Sequence, residues 1–294
     1  MRIFASMNTY NLPDNLPDNK ITTASGLVIH HYHSVKENSV KNKVISRCHI
    51  FSFLQEGEKE VHSYNLSVKF TPAQAILLPA GNSLMTERLS TDKHYRSFLL
   101  LFTDNDLVAF RQKYSSIFTL RKTSSSSAAF FLFQQDGFVK SFVQSLQQML
   151  LRPSPPLAEH LLQIKFTEIM LYLCDRYPDK FIPFLSSLAI TSTDLPIRNV
   201  VESNLYINLS LEELAFLCNM SLSTFKRKFE EIYGTSPARW FHLKRMQQAA
   251  VLLKHGKAKA SEIHHELGYE NLSSFVQAFK KEFGKTPKAF QQSI

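Results

Sequence analysis

The sequence predicts an α+β chain with a β-sandwich or small barrel in its N-terminal half, a helical region behind it, and an all-helical C-terminal domain. Three observations carry that reading. Between residues 26 and 102, short runs rich in Val, Ile, Phe and Tyr are broken at regular spacing by turn residues, the pattern of a sandwich or barrel. From residue 138 the apolar residues recur three and four apart, which is a helical period. Finally, residues 209–294 contain an internal repeat at an offset of 50 residues.

In chain order, residues 1–25 are polar and carry a tandem tetrapeptide, Asn11-Leu12-Pro13-Asp14 followed by Asn15-Leu16-Pro17-Asp18. Two X-Pro-Asp turns in succession suit an irregular arm. Strands are expected over residues 26–33, 48–54, 59–64, 66–70, 75–78 and 95–102, with turns at Glu56-Gly57-Glu58 and Pro79-Ala80-Gly81-Asn82. Residues 123–127 (TSSSS) read as a loop. Phe138, Phe142, Leu146 and Met149, flanked by Val139, Val143 and Leu150, then mark a helix that Pro153, Pro155 and Pro156 end. A second helix is expected over 157–177, and residues 175–180 and 186–194 read as connections. The helix pair would either cover the sheet or form a dimer surface. The expected division is an arm (1–25), a sensor and dimerisation domain (26–190) and a DNA-binding domain (195–294).

The repeat reads F-x3-F-x4-G-x-[ST]-P-x2-aromatic, twice. Phe225, Phe229, Gly234, Ser236, Pro237 and Trp240 are echoed by Phe275, Phe279, Gly284, Thr286, Pro287 and Phe290, with Leu217 echoed by Leu267. Agreement at so many rare positions marks a duplicated structural unit. Each copy builds helix, turn, helix. Ser210 and Glu213 form an S-x-x-E capping box, and Ser221 and Asn271 stand where the second helices need N-caps. Gly234 and Gly284 stand where a left-handed residue ends each second helix. Phe225, Phe229 and Ile232 are expected inside the first copy, and Phe275, Phe279 and Phe283 inside the second. That leaves Ser223, Lys226, Arg227 and Glu230 facing out on the first helix, and Ser273, Ser274, Gln277, Lys280 and Lys281 on the second. A helix over 237–253 joins the copies, burying Trp240, Leu243, Met246, Ala250 and Leu253. At 1.5 Å per residue it is about 25 Å long, a strut able to hold two helices in successive major grooves, ~34 Å apart.

Charge and composition agree with a polyanion partner. The chain carries +9, with 14 basic and 9 acidic residues in 195–294 against 20 and 16 in 1–194. The last third is therefore about twice as basic per residue. The apolar runs at 98–102 (FLLLF) and 128–133 (AAFFLF) fall far short of the ~20 residues of a membrane helix. The N-terminus carries no secretory h-region. Cys48, Cys174 and Cys218 are too widely separated for a disulfide framework or zinc spacing, which points to a reducing, cytoplasmic setting. No G-x-S-x-G, H-E-x-x-H, P-loop or G-x-G-x-x-G occurs, so no catalytic residue and no cofactor are expected.

Residues 195–294 closely resemble the AraC/XylS family of bacterial transcription regulators. The resemblance rests on Leu214-Ala215, Phe229, Gly234-x-Ser236-Pro237, Arg245-Met246-x2-Ala249-x2-Leu252-Leu253, Gly268-Tyr269, Phe275, Phe279 and Gly284-x-Thr286-Pro287. It implies a double helix-turn-helix that binds double-stranded DNA, reading sequence through the helices around residues 223–230 and 273–280. It also implies an activator that works with RNA polymerase; the basic repeat and the helix pair over 138–177 point to a homodimer joined through those helices. The N-terminal half, with Phe70-Thr71-Pro72 leading to Ile76-Leu77-Leu78-Pro79-Ala80-Gly81, is similar to the cupin-like sensor domain common in this family. The effector there is either a small molecule or, as in the type III secretion activators that the chain resembles around residues 236–240, a regulatory protein.

The chain departs from the family pattern at three places. His264 stands where a small residue is usual, Gln291 replaces a terminal Arg, and Glu230 occupies a usually basic site on the first reading helix. A carboxylate there would repel phosphate yet accept from a cytosine amino group. The four repeat phenylalanines read as core rather than as base-stacking groups, and Lys254, Lys257 and Lys259 as a solvated turn. His30, His31, His33 and Glu37 superficially match a metal-cupin motif, but Leu84 stands where the second such motif wants a histidine. No metal site is expected; the rival reading is a metal-binding cupin enzyme fused to a DNA-binding domain.

Overall fold

A computed structural model describes residues 8–17, 20–35, 39–63, 67–119, 128–151, 157–188, 197–205, 209–254 and 259–292. Two compact units result, Met1–Asp194 and Leu195–Ile294. The predicted loop at 123–127, Glu37, Asp18 and Lys257 lie outside the described residues.

The first unit holds two sheets. One has five strands in the order β1 (Thr9–Leu12), β4 (Ser39–Ser46), β9 (Gly81–Arg88), β6 (Glu58–His62) and β7 (Ser67–Phe70). The other has six, in the order β11 (Phe131–Gln134), β8 (Gln74–Leu78), β5 (His49–Glu56), β10 (Tyr95–Phe102), β3 (Val28–Ser34) and β2 (Lys20–Thr22). All pairings are antiparallel except the parallel β1–β4. Successive side chains leave a strand on opposite faces, and the six-stranded sheet buries both. Ile50, Ile76, Leu78, Leu99 and Leu101 point between the sheets. Phe51, Phe53, Leu77, Phe98, Leu100 and Phe102 point the other way, into a second core. Two-sided burial explains the near-continuous apolar runs of β5 and β10.

Helices fill that second core. α1 (Asp104–Lys113) opens on a Thr103–Asp106 capping box and is followed by α2 (Ser115–Thr119). α3 (Gly137–Leu150) is capped by Asp136, whose carboxylate accepts from the Val139 N–H at 3.1 Å. α4 (Ala158–Arg176) and α5 (Pro178–Leu188) complete the layer. Phe142 and Leu146 of α3, Phe166 and Ile169 of α4 and Phe181 and Phe184 of α5 all pack on the sheet. The alternative left open by the sequence is decided for one face: the inner stripes of α3 and α4 cover the sheet. The outer side of α4 leaves Leu157, Leu161 and Ile164 exposed at 61%, 40% and 61%.

Several expectations are corrected. The supposed irregular arm contains β1 and β2. β4, β9 and β11 were absent from the expected strands; β4 (SVKNKVIS) and β9 (GNSLMTER) are too polar to signal themselves. The stretches read as connections at 175–180 and 186–194 overlap α5, in which Pro178 supplies the first helical position and Pro183 lies inside.

The second unit begins with α6 (Ile197–Ser203), then α7 (Leu211–Leu217), α8 (Leu222–Tyr233), α9 (Pro237–Lys254), α10 (Ala260–Ile263), α11 (Leu272–Phe283) and α12 (Pro287–Gln292). The duplication is visible in its aromatic packing. Phe225 lies 5.7 Å from Phe229, and Phe275 lies 5.9 Å from Phe279. Phe229 meets Tyr233 at 4.4 Å and Trp240 at 5.7 Å, while Phe279 meets Phe283 at 4.6 Å and Phe290 at 5.4 Å. Ile232 was expected inside but is 39% exposed, because Tyr233 takes the place against Phe229 and Trp240. Leu243 is likewise exposed. It lies between the Trp240 end of the strut, packed on the first copy, and the Met246–Ala249–Leu253 stripe packed on the second.

Candidate nucleic-acid interface

Each reading helix is fixed at both ends by its own sequence. Ser221 caps α8, its hydroxyl accepting from the Thr224 N–H at 3.2 Å, and Asn271 caps α11, its side-chain oxygen accepting from the Ser274 N–H at 2.8 Å. At the other ends Gly234 (φ 68°) and Gly284 (φ 72°) take the left-handed conformation, and their N–H groups bond the carbonyls of Glu230 and Lys280. Only glycine enters that region without strain.

The preceding turns are not equal. Met220 N–H bonds Ala215 O, and Tyr269 N–H bonds His264 O, so the first helices match at an offset of 49. The caps match at 50, so the second turn holds one extra residue, Glu270. Asn219 (φ 55°) and Gly268 (φ 78°) are the matching left-handed turn residues. This register sets His264 opposite Ala215. Its imidazole is buried, with Nδ1 lacking a hydrogen-bond partner, where the first copy packs a methyl group. Gln291 donates from its side-chain amide to the Leu253 carbonyl at 3.3 Å.

All nine expected reading residues are exposed. Ser223, Lys226, Arg227 and Glu230 lie on α8 away from buried Phe225 and Phe229; Ser273, Ser274, Gln277, Lys280 and Lys281 lie on α11 away from buried Phe275 and Phe279. The offset sets Arg227 against Gln277 and Glu230 against Lys280, so one frame carries two different chemistries. One contact was not anticipated: Arg227 Nη1 sits 3.1 Å from Glu231 Oε1, one turn on. Both side chains are more than half exposed, and such a pair is worth little.

In the first unit the histidine group of β3 is divided. His30 is buried; His31 Nε2 lies 3.1 Å from Gln55 Oε1, and His33 Nε2 lies 3.2 Å from His94 Nδ1. Among the described residues no three His, Cys, Asp or Glu side chains gather as metal ligands would. The three cysteines are buried, and burial pushes the Cys174 and Cys218 thiols up to about 12, which leaves them unreactive.

Between the two sheets lies a cavity of about 390 Å³. Leu12, Leu16, Val44, Met85 and Leu99 form apolar wall, and Lys59 and Glu87 bring charge into it. These two are register partners on β6 and β9, with Lys59 Nζ 3.4 Å from Glu87 Oε1 and the side chains 5% and 15% exposed. Tyr32 lines the same space, and burial and then the Glu87 carboxylate hold its phenol well above the usual range. The tandem tetrapeptide supplies Leu12 and Leu16, and its Asp14 pairs with Arg47 at 2.5 Å. Sequence reading missed this site because Glu58-Lys59-Glu60 looks like a solvated stretch. Pairing with Glu87 depends on a register 28 positions away.

Residues 49–184 match the ExsA N-terminal regulatory domain, and residues 214–293 match a helix-turn-helix domain. The chain belongs to the AraC/XylS family. Its N-terminal unit is of the type III activator kind, and its C-terminal unit is an AraC-type helix-turn-helix domain. Among similar chains, the virulence regulon transcriptional activator VirF of Yersinia enterocolitica is 27% identical over 184 residues, 62% of this chain. That match spans 66% of VirF, just under two thirds of its length. The HTH-type transcriptional regulator ExsA of Pseudomonas aeruginosa is 22% identical over 246 residues, 81% of this chain and 84% of ExsA. A crystal structure of ToxT from Vibrio cholerae aligns over 90% of this chain and 97% of its own at 15% identity, with a TM-score of 0.41. Among the described residues no helix is long and apolar enough to cross a membrane.

Proposed function

We propose that this chain is a sequence-specific, DNA-binding transcription activator of the cytoplasm, controlled by an effector in its N-terminal unit. The duplicated helix-turn-helix carries the reading. Two capped helices of one frame expose residues suited to base edges and phosphates, and a strut of 18 residues joins their units. Activation is taken from the relatives, since VirF is named a transcriptional activator, and it brings RNA polymerase in as a partner. For the effector, a cavity of about 390 Å³ supports a small molecule over a surface-bound regulatory protein, since small-molecule sites occupy ~300–1,000 Å³. The exposed Leu157, Leu161 and Ile164 stripe supports pairing of two copies through α4.

Selection of bound sequences from a random oligonucleotide pool with the full chain tests the DNA-reading role. The selected site is expected to span two adjacent major grooves. Arg227→Ala should relax preference at one or two base positions, at about 1–3 kcal/mol each. Lys281→Ala should weaken all sequences alike. An unchanged motif with Arg227→Ala would remove that residue from the reading face.

A further inference from the structure

Building on the cavity as the effector site, we infer that its ligand is an uncharged amphiphile: an apolar body with an amide or alcohol head, and neither a carboxylic acid nor an amine. The charges already present decide this. Lys59 and Glu87 face each other at 3.4 Å with little exposure, so among the described lining residues the cavity holds one lysine cation and one carboxylate, balanced before any ligand enters. A carboxylate would bring a second negative charge beside Glu87, whose side chain is only 15% exposed, and an ammonium group would do the same beside Lys59, only 5% exposed. Each would shed its hydration and gain no unmatched partner, which is the costly case for a buried ion.

An uncharged head meets no such barrier. An ammonium carries three donors and a carboxylate about four acceptor sites, and their mutual contact uses only part of either set. Tyr32 in the lining already bears on Glu87; a group that accepts from Lys59 and donates to Glu87 uses capacity still left on both, and a primary amide or hydroxyl does so without adding charge. The apolar body then lies along Leu12, Leu16, Val44, Met85 and Leu99. His33, the other ionisable nitrogen in the lining, is engaged with His94 at 3.2 Å.

Calorimetric titration of the full chain with octanamide, octanoate and octylamine, each below its micelle-forming concentration, tests the inference. Octanamide should bind at least tenfold more tightly than either charged probe. Glu87→Gln leaves Lys59 without its counter-charge, so the ranking should turn to favour octanoate; Lys59→Met should turn it to favour octylamine. A lone buried charge destabilises the fold, so the double variant Lys59→Met/Glu87→Gln serves as a neutral control, in which octanamide should bind at least tenfold more weakly. Octanoate or octylamine binding the unaltered chain as well as octanamide would overturn the neutral-head assignment and keep the cavity as a ligand site. Failure of all three probes would remove the cavity reading itself.

Discussion

His49 shows how far one side chain in this fold is specified by its surroundings. Its ring is buried, its Nδ1 accepts from the Ala80 N–H at 3.1 Å, and its Nε2 lies 2.8 Å from Asp104 Oδ1. With Nδ1 accepting, Nε2 carries the proton and donates to Asp104, so the neutral ring is complete. A second proton would have to enter at Nδ1, against the Ala80 N–H. Burial holds the pKa below its ordinary 6.5, outweighing the opposite pull of Asp104. As pH falls below 6.5 the unfolded chain therefore takes the proton first, and stability contributed by neutral His49 is lost until the folded ring also protonates. The unfolding temperature should drop between pH 7 and 5, and His49→Gln should shrink that drop. His31, whose pKa burial also lowers, would account for what remains. Identical pH dependence in the variant and the unaltered chain would discard the assignment.

Helices announced themselves more clearly than strands, for physical reasons. The ends of α8 and α11 are written locally, in Ser221, Asn271, Gly234 and Gly284, and each signal acts within one turn of chain. Replacing Gly234 or Gly284 with Ala meets open space, so the cost is the left-handed backbone alone, about 1–2 kcal/mol at either position. Chemical denaturation should return similar losses for both, and a negligible loss at one would show that its helix ends differently. α1 had a readable signal in Thr103-x-x-Asp106, but its weak periodicity hid it. α5 was obscured by Pro178 and Pro183, which read as breakers from sequence alone. Among strands, the six-stranded sheet was legible because both its faces are apolar. β4 and β9 were not, since Lys41, Lys43, Asn82 and Glu87 give them the composition of a loop. The Lys59–Glu87 pair was illegible for the same reason that register is: it is set by which strands meet, a long-range outcome of folding.

The same layering that hides one side of α4 leaves the other to explain. Its inner residues, Leu162, Phe166, Ile169 and Leu173, are fully buried against the sheet. Leu157 at its N-cap and Leu161 and Ile164 within it, spaced four and three apart, form an outward apolar stripe. Such contiguous exposure marks interaction surfaces more often than chance, and a symmetric pair of helices is the simplest arrangement that covers it. Pairing would also serve DNA binding, because a second bound copy acts at an effective concentration near the millimolar range. Ile164→Asp places a charge at the end of the stripe, on a side chain 61% exposed and away from the buried core, so the fold should persist. Sedimentation of the full chain at micromolar concentration should show a dimer that Ile164→Asp converts to a monomer, with weaker binding to a two-site DNA and unchanged binding to a single site. A monomer in the unaltered chain, or a dimer that survives Ile164→Asp, would take the interface away from α4.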